Sequence, residues 1–365
     1  MAVSRRARWY ALAGALAGLI VLARPLTALW VDILWFGELG YGQVWWRRYG
    51  WQLLVGGTGG LVVGAVLFVN LLATRRVLLT LPFGVLPPAY ARYLRPRVLG
   101  HWALAASAIF GALVGIGLAA QWETVMLYVY RVPWGQNDPL FGRDVAHYVF
   151  AVPFYRLLQR LVTLTVSLAL LASAAVYVAF GALRPVGGSL ELEPRVKTHL
   201  ALLVSALLLL KSADYRLAAW GLLQSTRGVT FGAGYTDARV LLPGLMLLAV
   251  AALVAAFLAA YAAYRRRLRP LLIALGGMVG LSLLVGSIAP ALVQRLIVEP
   301  NEQAVEAPYI AHNIAFTRYA YGLDRVTVRE FAASPDIDAA TLSEHRATLD
   351  NIRLWDVRPL LSTYR

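Results

Sequence analysis

Asp144 and His147 stand three residues apart, a spacing that places both on one face of a helix and would suit acid–base exchange or a shared metal ion. The plainer alternative is a helix cap beside an interfacial histidine, since no third ligand lies nearby. Asp138 adds a carboxylate in the turn signal Asn137-Asp138-Pro139. Lys211 and Asp214 form another pair at helical spacing, set in an apolar stretch where ionisable groups are costly and usually functional. The competing reading is that the helix ends there and both groups reach interfacial water. Glycines 228, 232 and 234 precede Asp237 in Gly228-Val229-Thr230-Phe231-Gly232-Ala233-Gly234-Tyr235-Thr236-Asp237. A phosphate loop would close on Gly-Lys-Ser/Thr, which is missing, so this reads as an ordered loop with Asp237 capping the next helix. Glu302, Glu306 and His312 could bind metal by type, but they lack the His-x-x-x-His spacing that would bring them together. None of these groups completes a catalytic, cofactor or metal constellation, and no cofactor is expected.

The elements that must position them are set by composition. Of 365 residues, 59% are hydrophobic and 15% charged, where a soluble domain carries about 25% charged residues. Such a chain belongs in a bilayer. It has no cysteine, which excludes disulfides, zinc thiolates, iron–sulfur clusters and cysteine nucleophiles. The net charge of +15 sits in short clusters beside apolar runs rather than along a soluble face, so it reads as a topogenic signal and not as a nucleic-acid surface.

Seven runs approach the ~20 apolar residues a crossing needs: 9–30, 52–73, 101–121, 157–182, 198–220, 241–263 and 271–292. The first should bend or end early at Arg24-Pro25 and continue through Leu26 to Trp30. The fifth is the weakest, because Lys211 and Asp214 interrupt it. Fifteen basic residues lie in the N-terminus and in the loops around 74–100, 183–197 and 264–270, against eight in the intervening loops. That asymmetry predicts a cytoplasmic N-terminus and an extracytoplasmic segment after Arg295. The expected fold is an all-α membrane protein, a bundle of about seven transmembrane helices over 1–294 followed by the start of a soluble extracytoplasmic region over 295–365.

Small residues recur at four-residue spacing in Gly14/Gly18, Gly56/Gly60/Gly64, Gly111/Gly115, Ala251/Ala255/Ala259 and Gly276/Gly280. They let backbones approach closely, within the bundle or in a homo-oligomer. The aromatic-rich stretch 122–156 predicts a surface-lying amphipathic helix begun at Asp144 and ended near Pro153. Beyond Arg295, a helix over Ile310–Tyr321 and a Thr341/Glu344 capping box opening a helix to about Asn351 are expected. The apolar content there is too sparse for an autonomous core.

Several stretches resemble one bacterial family: Leu34-Trp35-Phe36-Gly37-Glu38-Leu39-Gly40-Tyr41, Asp138-Pro139-Leu140-Phe141-Gly142-Arg143-Asp144-Val145, Gly232-Ala233-Gly234-Tyr235-Thr236-Asp237, Pro300-Asn301-Glu302, Thr317-Arg318-Tyr319-Ala320-Tyr321-Gly322-Leu323 and Asn351-Ile352-Arg353-Leu354-Trp355-Asp356. Together they are similar to the uncharacterised protein family numbered 0182, large multi-pass bacterial membrane proteins. The resemblance implies seven N-terminal spans, a large extracytoplasmic C-terminal region and a plasma-membrane location, with this chain as the N-terminal portion of a longer member. It supplies no catalytic residues.

Three functions stay open on these residues. One is an envelope scaffold, assembly or sensing protein that presents an external domain to envelope partners. Another is a transporter or channel with Lys211, Asp214 and Asp32 as pathway charges. The last is an envelope enzyme on lipid-linked or cell-wall substrates, using Asp138, Asp144 and His147 with Glu302 and Glu306.

Overall fold

The structure is a computed structural model that describes residues 5–79, 96–186, 189–265, 269–330, 337–353 and 356–364; the side chains of 5–8, 10–22, 96–97, 183–186 and 189–192 lie outside the description. The basic loop around 80–95 and residues 266–268 therefore lie outside it as well. The long helices are α1 (Arg5–Glu38), α2 (Gly42–Leu79), α3 (Pro96–Ala119), the short α4 (Trp122–Val129), and α5 (Val152–Ala179). A two-stranded antiparallel hairpin, β1 (Leu183–Val186) and β2 (Ser189–Leu192), leads into α6 (Pro194–Gly221), α7 (Leu242–Arg265) and α8 (Arg269–Leu283). The chain goes on helically through α9 (Ala289–Val293) and α10 (Glu302–Ala320), then the short α11 (Ala339–Glu344), α12 (Arg346–Asp350) and α13 (Val357–Tyr364). Two compact units result, Met1–Asn313 and Ile314–Arg365.

Six helical stretches among the described residues are long and apolar enough to cross a membrane: Gly42–Leu79, Val98–Ala119, His147–Ala179, Pro194–Gln224, Asp237–Arg265 and Arg269–Ala320. They correspond to the second to seventh runs of the sequence. The first run falls in α1, which contains Pro25 and continues helically through Leu26 and Trp30 to Glu38. The fifth run also outlasts its charges: α6 continues past Lys211 and Asp214 to Gly221, about 40 Å of helix against a hydrocarbon core of about 30 Å.

What holds α6 is a ladder of hydroxyls. Thr198, Ser205 and Ser212, seven residues apart, donate to the carbonyls of Ala263, Ala256 and Ala249 on α7 at 3.2, 2.8 and 2.8 Å. A seven-residue step keeps one seam facing its neighbour along two long helices. The seam closes because α7 presents Ala252, Ala255, Ala256 and Ala259, all buried and too small to push α6 away. On the other side, α2 and α3 meet through glycine. A Cβ at Gly60 would lie 2.7 Å from the Gly111 carbonyl, and one at Gly56 would lie 2.7 Å from that of Gly115. These small-residue repeats thus serve packing within the bundle, whereas no atom would lie within 4 Å of a Cβ at Gly276 or Gly280.

A polar knot ties α2, α5 and α6 together. Asn70 donates to Ser173 Oγ at 2.7 Å and to the Ala169 carbonyl at 3.1 Å, and its Oδ1 lies 3.2 Å from His199 Nε2. Tyr177 hydroxyl meets His199 Nδ1 at 2.8 Å, and Thr74 meets Ser173 at 2.9 Å. Tyr177, Thr74 and Ser173 are completely buried.

Among the described residues, four π-turns interrupt the helices, at His147–Ala151, Asp237–Leu241, Leu284–Ile288 and Gln294–Val298. The first corrects the expectation that a surface helix ends near Pro153. Val152 N–H bonds the His147 carbonyl five residues back, and this wider turn takes up the proline, so the helix runs straight on into α5. The chemistry of the chain changes at Arg295 as expected, but the backbone stays helical there, and the helix foreseen over Ile310–Tyr321 begins eight residues earlier, at Glu302. In the unit Ile314–Arg365 no described residue is buried. Asp338, not Thr341, caps α11, accepting from Thr341 N at 2.8 Å, and the helix breaks at His345 rather than running to Asn351. Asp338 holds the N-cap position with extended backbone, where its carboxylate reaches the amide three residues on, whereas Thr341 lies inside the first turn.

Packing of these two kinds should differ in sensitivity. Gly60→Val forces α2 and α3 apart and is expected to cost about 1–3 kcal/mol, whereas Ser205→Ala loses an interhelical hydrogen bond worth about 0.6 kcal/mol; steric-trapping measurements of unfolding in bicelles should give that order.

Candidate functional site

Successive antiparallel helices bring the start of α5, the end of α6, the start of α7 and the far end of α8 to one end of the bundle, and most candidate residues gather there. The loop before α5 is organised by two carboxylates. Asp138 is buried and accepts from the amides of Leu140, Phe141 and Arg143 at 2.9, 2.9 and 3.2 Å, and from the Tyr148 hydroxyl at 2.5 Å. Asp144 accepts from the amides of Trp134, Gly135 and Ala146 at 3.1, 2.8 and 2.8 Å. The Trp134 amide in particular holds the Asp144 carboxyl below its usual range. The cap foreseen at Asp144 is present, through Ala146, but the shared Asp144–His147 chemistry is not: the carboxylate faces backbone, and the two residues join only through the His147 amide and the Asp144 carbonyl, at 2.9 Å. Both line a shallow pocket of about 450 Å³ with Arg131. The imidazole stands edge-on to Trp220, centroids 4.9 Å apart, and Nε2 has no hydrogen-bond partner among the described residues.

The glycine-rich loop is fixed from α10. Glu306 is buried, and both its carboxylate oxygens accept from Tyr235 N at 3.1 Å. Glycine is required at 234, since a Cβ there would lie 2.9 and 3.0 Å from those oxygens. The cap of the helix entering α7 therefore comes from Glu306, not from Asp237, which lies inside the first turn with its Oδ1 3.7 Å from Arg227 Nε. Gln294 accepts from the Thr236 hydroxyl at 2.7 Å, and Asn313 donates to the Phe231 carbonyl at 2.7 Å. Glu302 and His312 are exposed and stand apart from this lock.

Lys211 and Asp214 pair with one another at 2.6 Å, each about half exposed (48% and 47%), on the outside of α6. Asp32 receives the Tyr49 hydroxyl at 3.5 Å. Among the described residues, no three His, Asp or Glu side chains come together to hold a metal ion.

Sequence reading missed a cavity of about 730 Å³ between α3, α4, α5 and the end of α6, into which Arg156 and Arg160 project. Its signal was available: two arginines four residues apart, at the entry to an apolar run.

Among the described residues, six helices long and apolar enough to cross a membrane define a polytopic helical membrane protein. Residues 9–365 match the uncharacterised protein family UPF0182, and the chain belongs to that family. It is 39% identical to a UPF0182 protein of Moorella thermoacetica over 98% of this chain and 40% of the relative. Identity is 34% to a relative from Cupriavidus necator, covering 99% of this chain and 40% of the relative, and 32% to one from Thermobifida fusca, covering 99% and 36%. The chain thus spans about 40% of the length of the curated relatives it matches. No solved structure matches it.

Both loop locks can be tested by amide exchange. Glu306→Ala leaves the Tyr235 amide without its acceptor at a buried site, at a cost of about 1–3 kcal/mol, and exchange should rise at Tyr235 while amides in α2 stay protected. For Asp144 the folded-state pKa lies below the unfolded one, so its stabilisation is present above the ordinary carboxylate range and is lost as pH falls through the lowered value. Gly135 exchange, corrected for intrinsic rate, should therefore accelerate only below the ordinary carboxylate range in the parent protein and be fast at every pH in Asp144→Asn.

Proposed function

We propose that this chain is a plasma-membrane anchor of the cell envelope, which fixes and orients an extracytoplasmic region for assembly or sensing and does not itself run a reaction. The observation that carries this reading is the Glu306 lock. It joins α10 to the loop between α6 and α7, and so sets the place at which the chain leaves the unit Met1–Asn313. A rigid exit is what a protein needs if it is to present a domain in a defined orientation.

Against an enzyme stands the state of the carboxylates. Asp138, Asp144 and Glu306 spend their oxygens on backbone amides of their own loops, which leaves little capacity for a substrate proton. Against a transporter stands the placement of Lys211 and Asp214. Pathway charges face a bundle interior or a water-filled cavity, and these two satisfy each other on an outer face. With α1 as a seventh crossing and the basic loops inside, the N-terminus is cytoplasmic and Ile314–Arg365 extracytoplasmic. Its partners are then other envelope proteins, and a homo-oligomer can form through the open Gly276/Gly280 face of α8.

Single cysteines at Ser189, Thr230 and Ser343, in a chain with none of its own, test the reading. A membrane-impermeant maleimide on intact cells should label Thr230→Cys and Ser343→Cys but not Ser189→Cys. Labelling of Ser343→Cys only after permeabilisation would remove the extracytoplasmic presentation on which the proposal rests.

A further inference from the structure

The cavity between α3, α4, α5 and the end of α6 has a divided lining. Arg156 and Arg160 stand one turn apart on α5, with Gln121, Thr124, Gln224 and the Tyr148 hydroxyl around them. The other wall is hydrocarbon, from Leu113 and Val114 on α3 to Leu161 and Leu164 on α5. No acidic residue lines it, and neither arginine joins the two ion pairs found among the described residues, Lys211–Asp214 and Arg227–Asp237. Arg156 is folded over Gly221, where even a methyl group would collide with its guanidinium.

Depth sharpens the question of what these cations face. Nineteen residues separate Arg160 from Ala179, the end of α5, which is about 28 Å of helix. A hydrocarbon core of about 30 Å measured back from Ala179 ends at Arg160. With Ala179 taken as one edge of the hydrocarbon, the two guanidiniums come at the level of lipid phosphates, and they line a concave space rather than pointing only outward. Arginine matches phosphate through paired donors in a fixed fork, and the side-chain amides of Gln121 and Gln224 and the Thr124 hydroxyl in the same lining can donate to the remaining oxygens, while the Tyr148 hydroxyl is committed to Asp138. About 730 Å³ falls within the range of small-molecule pockets.

We propose that this cavity binds an anionic membrane lipid, its phosphate held by Arg156 and Arg160 and the upper part of an acyl or prenyl chain laid along Val114, Leu161 and Leu164. The topology proposed above places it in the outer leaflet; the binding itself does not depend on that topology. Lipid seated there wedges the start of α5 against α3 and α4, beside the loop that Asp138 and Asp144 organise, so lipid charge becomes an input to the external face.

The test uses the full chain in detergent micelles, where sidedness plays no part, and phosphatidylglycerol carrying a short fluorescent acyl chain as the probe, read by anisotropy. The parent protein should bind saturably, with phosphatidylcholine failing to compete. The double variant Arg156→Gln/Arg160→Gln should bind at least tenfold more weakly, and Arg156→Lys/Arg160→Lys should recover part of the loss. Val114→Trp fills the apolar end without touching either charge and should also weaken binding, which keeps the test decisive if the double variant does not fold. Unchanged affinity in the Gln variant or in Val114→Trp, or full displacement by phosphatidylcholine, overturns the proposal. Displacement by inorganic phosphate at the concentration that suffices for unlabelled phosphatidylglycerol would assign the site to a soluble phosphate and overturn it equally.

Discussion

Hydrocarbon accepts and donates no hydrogen bonds, so a polar side chain on a membrane helix must find its partner on its own helix or on a neighbour, or go without. In this bundle α6 is where that constraint is met. Its hydroxyl ladder reaches α7 through Thr198, Ser205 and Ser212, while on the opposite side His199 reaches Tyr177 on α5 and Asn70 on α2. Gln159 on α5 completes the seam by donating to the Leu210 carbonyl. By hydropathy α6 is the poorest of the central spans, and its polar residues are the ones that make it the hub. Because Thr198, His199, Ser205 and Ser212 are each satisfied by a neighbouring helix, the helices around α6 are held in register as well as in contact.

The same economy governs the loops at the end of the bundle where α5 and α7 begin. A carboxylate that accepts several amides does the work of a small sheet or a disulfide, neither of which is available to these segments. Asp138 and Asp144 close the loop before α5 in this way, and Glu306 closes the one before α7 from outside it. Residues of types that could do chemistry are here employed in architecture, and the cations that have no such employment, Arg156 and Arg160, are left facing a cavity.

Sequence reading recovered the six helices from 52 onward, though α2 begins ten residues earlier, at Gly42, and the last continues helically beyond 292 to Ala320, because run length and apolar content place a membrane helix but not its polar ends. It also marked Gly56, Gly60, Gly111 and Gly115 as sites of close backbone approach, though not that α2 and α3 are the pair that meets there. It assigned the cap before α7 to Asp237 because the rule looks a few residues away, whereas Glu306 lies 71 residues from Tyr235. It ended a helix at Pro153 because a π-turn, which has no sequence signature of its own, was not in reach. The knot at Asn70 was passed over for a similar reason: its partners are 99, 103 and 129 residues distant, and each is unremarkable alone.

The π-turns have a geometric side beyond accommodating proline. Each one fits an extra residue into a stretch of helix, and one residue corresponds to about 100° of rotation about the axis. At His147–Ala151 and Asp237–Leu241, and twice in the stretch from Leu284 to Val298, the side chains beyond the turn are thereby aimed away from the azimuth that the membrane-spanning part dictates. The bundle and its outer rim are in this sense two gears on common shafts: the lower faces are phased for helix packing, the upper faces for the loop locks. Glu306 and the Tyr235 amide meet at the end of the bundle beyond these turns. A one-residue deletion in either turn would leave the core phased as before and rotate the rim out of mesh.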